Sequence, residues 1–163
     1  MIRKIVLSVL IFGYLSIVQA TTLDSVPVDE YKSEVSLALV QKYNLGVKLT
    51  DISYQLAYQS PFYRMITNKV GEENAIRIIN KEVDHLVPEY QERWNKYLAS
   101  SIAEVLSVEK MKSLLDSGSS SEYFSEFNEK SEAISIILNS KSYDLLNDLM
   151  VKAMNAANDK MVK

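Results

Sequence analysis

Apolar residues recur every three or four positions along most of this chain, and no stretch alternates apolar with polar as a half-buried strand would. Tyr31, Val35, Ala38 and Leu39 share the first stripe, with Asp29 placed to cap its start and Gly46 its end. Ile52, Leu56 and Ala57 follow on a helix that Thr50 or Asp51 can open. Ser60-Pro61 then restarts the chain, because proline suits the first helical position and pushes the preceding residue out of helical backbone. Phe62, Met65 and Ile66 mark a short helix that stops near Gly71.

Glu72 and Glu73 open the next helix, where negative charge favours the amino end, and its stripe is Ile76, Ile79, Val83 and Leu86. Pro88 predicts a kink or break. Beyond it the spacing predicts the longest helix, from about Glu89 to Leu106, with Tyr90, Trp94, Tyr97, Leu98, Ile102 and Val105 inward. Ser107 can cap a shorter helix carrying Met111, Leu114 and Leu115. The run from Asp116 to Ser121 reads as a loop, with Gly118 stopping one helix and Ser120 or Ser121 starting the next. Phe124, Phe127, Ile134 and Leu138 mark that helix, and Asn139–Ser142 is a weaker break. Leu146, Leu149, Met150, Ala153, Met154 and Ala157 mark the last one. The expected fold is all-α, a compact bundle of six or seven amphipathic helices packed through their apolar stripes.

The amino end has a different character. Arg3 and Lys4 precede the apolar stretch Ile5–Ile17, and Val18-Gln19-Ala20 offers a cleavage site. These are the features of a secretory signal peptide, and the stretch is shorter than the roughly 20 apolar residues of a membrane span. The expected organisation is a signal peptide over 1–20, a leader over 21–28 and a single helical domain over 29–163. No membrane anchor is expected once the signal is cleaved, and the expected location is the periplasm.

Composition narrows the chemistry. The 163 residues include no Cys and one His, and charged residues make up 24%. Removing residues 1–20 takes away two basic residues and no acidic ones, leaving 16 basic residues against 21 acidic, a net charge of −5. An acidic chain argues against nucleic acid as a partner and would steer toward a basic one. Cys-based nucleophiles and lipid attachment at Cys are excluded, and no Gly-x-Ser-x-Gly turn offers an activated serine. The glycines at 46, 71 and 118 match no phosphate-binding fingerprint.

His85 and Glu89 stand at the spacing of a two-residue metal clamp if the helix continues through Pro88. Pro88 is expected to spoil that geometry, so no metal and no cofactor is expected. Paired carboxylates across a cleft could still serve a glycan hydrolase. However, Glu89–Arg93 and Glu92–Lys96 have the spacing of a solvated helix face.

The densest local feature is aromatic. Tyr54, Tyr58, Phe62 and Tyr63 fall within ten residues, with Tyr54 and Tyr58 on one helix face. Tyrosine has an apolar body and a polar tip, so the cluster suits either the roof of a core or a recognition surface. These four are the candidate binding residues. Met150, Met154 and Met161 form a second stripe that reads as core.

From Trp94 onward the chain resembles a family of small exported bacterial all-helical proteins catalogued as a domain of unknown function. The resemblance rests on the helix start from Leu106 to Leu115, the corner Ser117-Gly-Ser-Ser-Ser-Glu-Tyr-Phe124 and a final amphipathic helix. The family's corner carries an aromatic ahead of a Ser-Pro-x-Gly step; here there is no proline and the aromatics come later. The resemblance implies an all-α periplasmic protein and supplies no catalytic residues. The expectation is therefore a non-enzymatic exported protein that acts by protein–protein binding, for example an immunity or inhibitor protein against a toxin or envelope hydrolase. The alternatives are a carboxylate-dependent cell-wall glycan hydrolase and a binder of small apolar ligands.

Overall fold

A computed structural model describes residues 28–161. The expected signal peptide and all of the leader but Val28 lie outside the described residues. The described chain is all-α: α1 (Val28–Lys42), α2 (Leu49–Gln59), α3 (Pro61–Val70), α4 (Glu72–Val105), α5 (Val108–Ser117), α6 (Phe124–Glu129) and α7 (Ser131–Lys160). Short 3-10 turns at Leu45–Lys48 and Gly118–Ser120 complete it, and no strand occurs among the described residues.

Local backbone chemistry sets several of the boundaries. Ser60 takes extended backbone (ψ 150°), its hydroxyl accepts from the Tyr63 N–H at 3.2 Å, and Pro61 fills the first position of α3. Ser107 caps α5 in the same way through the Lys110 N–H. Gly71 and Gly118 end α3 and α5 at φ +81° and +57°, backbone that an L side chain rarely adopts. α1 stops before Gly46, because Asn44 takes the left-handed turn (φ 49°), a conformation asparagine tolerates. Asp29 lies inside the first turn of α1 rather than ahead of it, and α2 starts at Leu49 with Thr50 and Asp51 in its first turn. Asp51 pairs there with Lys48 at 3.1 Å.

Two expected breaks are absent. α4 runs unbroken through Pro88 for 34 residues. Proline lacks the N–H that would bond to the Asp84 carbonyl, but Pro88, Asp84 and His85 are all exposed, so water can take that carbonyl. Across the same stretch Ala75, Ile79, Val83, Val87, Tyr90 and Trp94 are buried in unbroken helical phase, and their packing outweighs the proline. The second correction concerns the C-terminal region. α6 ends at Glu129, α7 starts at Ser131, and Asn139–Ser142 is continuous helix. Ser142 is fully buried there, so a residue read as a breaker serves as a small packing residue.

The described residues form two compact units, one from those up to Leu45 together with Asn95–Ser140, the other from Gly46–Trp94 and those from Lys141 on. In the first, α1 packs on α5, and the core includes Leu39, Leu98, Ile102, Met111, Leu114 and Ile134. Lys42 and Tyr43 both reach the Leu115 carbonyl, at 2.5 and 3.1 Å. In the second, α2 packs on α3, and the core includes Leu49, Ile66, Ile79, Tyr90, Trp94, Leu149 and Met154. Among the described residues no helix is long and apolar enough to cross a membrane.

Candidate functional site

The aromatic cluster lies in the second unit, where it forms a ladder. Tyr54 and Tyr58, one turn apart on α2, stack with ring centroids 6.3 Å apart and planes 16° from parallel. Tyr58 meets Tyr63 of α3 at 5.4 Å in a tilted arrangement. All three are half-buried, and each hydroxyl donates to a polar side chain of α4: Tyr54 to Asp84, Tyr58 to Asn80, and Tyr63 to Glu72 at 3.4 Å. The acceptors at 72, 80 and 84 run up α4 as the donors run down α2 and α3, so the ladder ties three helices together. Burial, then the hydrogen bond to the Asp84 carboxylate and its charge, push the Tyr54 phenol up to about 12, so it stays protonated.

Phe62 is the exception among the four candidates. It does not join the ladder, and 42% of its surface is exposed. Met65, one turn on, is 48% exposed, and Ile66 is the buried residue of α3. The cluster thus divides: three tyrosines face inward with their polar tips engaged, and Phe62 faces outward beside Met65.

A second polar tie in the same unit holds α4 to α7. The buried Tyr90 donates to Asp148 at 2.6 Å and accepts from Lys152 at 2.9 Å, and Lys152 pairs with Asp148 at 3.1 Å. Arg93 sits 5.2 Å from the Tyr90 ring centre. Burial and the Asp148 bond raise the Tyr90 phenol, the hydrogen bonds from Tyr90 and Lys152 lower the Asp148 carboxyl, and the Tyr90 and Asp148 hydrogen bonds raise the Lys152 ammonium. The inward stripe places Tyr90 in the core, and its polar partners come from another helix. Only the inward stripe through Tyr90 and the i, i+4 pair Asp148–Lys152 signalled the tie.

His85 and Glu89 are one helical turn apart, since α4 continues through Pro88, and both are exposed. Among the described residues no group of three or more His, Asp or Glu side chains is placed to hold a metal ion. Two cavities lie within the first unit. One, of about 30 Å³, is apolar and lined by Leu39, Tyr43, Leu114, Phe124 and Phe127 among others, with room for little more than one water. The other is an open groove of about 410 Å³ bordered by Asp29, Lys32, Ser33, Ser100, Ala103 and Glu104, with no aromatic residue in its lining. Met154 is buried, as read from its stripe, while Met150 and Met161 are half-buried. Neither a family model, nor a curated protein, nor a solved structure matches this chain.

Proposed function

We propose that the protein is exported, loses residues 1–20 and works in the periplasm through protein–protein contact, as an immunity or inhibitor protein against a toxin or envelope hydrolase. The observation that carries the contact reading is the outer face of α3, where Phe62 and Met65 leave large apolar side chains in solvent on a helix fixed by its cap. A hydrolase would want an aromatic platform at a carboxylate-bearing cleft. The Tyr54, Tyr58 and Tyr63 hydroxyls are instead spent on α4. A photo-cross-linker scanned over exposed positions of the full chain in living cells tests the reading. The expected result is a discrete protein adduct clustered on one face, recovered from the periplasmic fraction. Processed protein that forms no protein adduct at any position, or protein retained in the cytoplasm with residues 1–20 attached, would contradict it.

A further inference from the structure

Resting on the partner-binding reading above, we infer that the outer face of α3 docks into an apolar cleft edged with carboxylates on a partner protein. Phe62, Met65 and Lys69 stand at i, i+3 and i+7 and form one exposed row along the helix, while Arg64 is exposed at the far edge of the solvent face, about 100° round the helix from Met65. This is the spacing by which a helix lays its apolar face into a groove.

The charge of α3 specifies the rim of that groove. Among the seven described α-helices, α3 is the one with a net positive charge: it carries Arg64 and Lys69 and no acidic residue, while the others are neutral or acidic. Neither cation enters an ion pair or hydrogen bond among the described residues, although the chain is acidic overall and other lysines do so, as Lys110 does with Glu126 and Lys160 with Glu82. An uncommitted Lys69 in line with two exposed apolar side chains, and an uncommitted Arg64 at the far edge of the same solvent face, match a cleft that supplies both greasy walls and carboxylates. Overall acidity acts at long range and is screened beyond about 10 Å, whereas Arg64 and Lys69 act at contact.

The face is also held in place before any partner arrives. Ser60 caps the helix, Pro61 fixes its first turn, Ile66 anchors it inward, and Tyr63 ties to Glu72. Little ordering is then lost on docking. A lipid surface is the poorer fit, since two apolar side chains and two cations fall short of the paired signals that lasting membrane attachment takes.

The test uses the full chain in its own cells, with Phe62→p-benzoylphenylalanine and, separately, Tyr143→p-benzoylphenylalanine. Tyr143 is exposed on α7. The expected result is an adduct from position 62 to a partner segment in which Asp and Glu outnumber Lys and Arg. Adding Arg64→Glu and Lys69→Glu should cut its yield roughly tenfold, and adding Arg64→Lys and Lys69→Arg should preserve it. An adduct unaffected by charge reversal, one to a basic segment, or one formed only from position 143 overturns the inference and leaves the partner reading standing. Tight binding of the purified chain to vesicles containing phosphatidylglycerol, with no protein adduct from position 62, also overturns it. The absence of any protein adduct at either position overturns both.

Discussion

Tyr54→Phe removes one hydroxyl from the ladder and leaves the ring, so it isolates the bond to Asp84. The Tyr54 phenol moves from 10.0 to about 12 on folding. Two units correspond to at most about 2.7 kcal/mol. Burial is the largest cause of that shift and is not part of the bond, and Tyr54 is only half-buried with Asp84 exposed to solvent screening, so the bond itself is left with about 0.5–1 kcal/mol. The sign follows from the protonated phenol being the form the fold prefers. The contribution is fully present below the unfolded value near 10 and is lost as pH rises through the folded value near 12. Urea denaturation of the wild type and the variant at a series of pH values is the assay. The wild-type advantage should be flat from neutral pH to about pH 9 and shrink beyond about pH 10. Asp84→Asn should leave the onset of that decline near pH 10, set by the unfolded phenol, and make it smaller and complete at a lower pH, since it removes a carboxylate that raises the folded value. An advantage that grows with pH, or none at neutral pH, would refute the assignment of this bond.

Four further outcomes follow from named contacts. Pro88→Ala supplies the missing N–H on an exposed face of α4 and should raise stability by about 1–2 kcal/mol, read as a higher Tm. Ser53→Ala removes a fully buried hydroxyl that has no hydrogen-bond partner among the described residues and should be neutral or stabilising in urea melts, whereas a loss beyond about 1 kcal/mol would mean the hydroxyl is engaged. Gly118→Ala should cost more than Gly71→Ala in the same melts. Both have positive φ, but a Cβ at 118 would lie 3.0 Å from the Tyr43 hydroxyl while the space around 71 is open. Tyr90→Phe should cost about 1 kcal/mol, because Asp148 and Lys152 are half-exposed and can turn to water once the phenol is gone.

What the sequence made legible follows the range of the physics involved. Ser60-Pro61 and Ser107 act on backbone groups within three residues, so their caps could be read directly. Pro88 carried the same kind of local signal but lost to a buried stripe running from Ala75 to Trp94 without a change of phase. The correct stripe was present in the sequence, yet Ile76 and Leu86 are as apolar as Ala75 and Val87, and only packing decides which set turns inward. The gap between α6 and α7 has no Gly or Pro to mark it. The serine at 142, a weak breaker by propensity, is buried within continuous helix. In the aromatic cluster, the i, i+4 spacing of Tyr54 and Tyr58 gave their shared face. The acceptors at 72, 80 and 84 come from another helix, so the use of the hydroxyls, and with it the division between the ladder and Phe62, needed the tertiary structure.

The central claim is that the ladder holds the fold while the outer face of α3 is free of that duty. Urea denaturation of two double variants side by side tests it most directly. The account predicts that Tyr54→Phe with Tyr58→Phe loses about 1–2 kcal/mol. Phe62→Tyr with Met65→Gln, which keeps the buried half of each side chain and alters the half in solvent, should stay within about 0.5 kcal/mol of the wild type. The reverse order, with the outer pair costing more than the two hydroxyls, would contradict it.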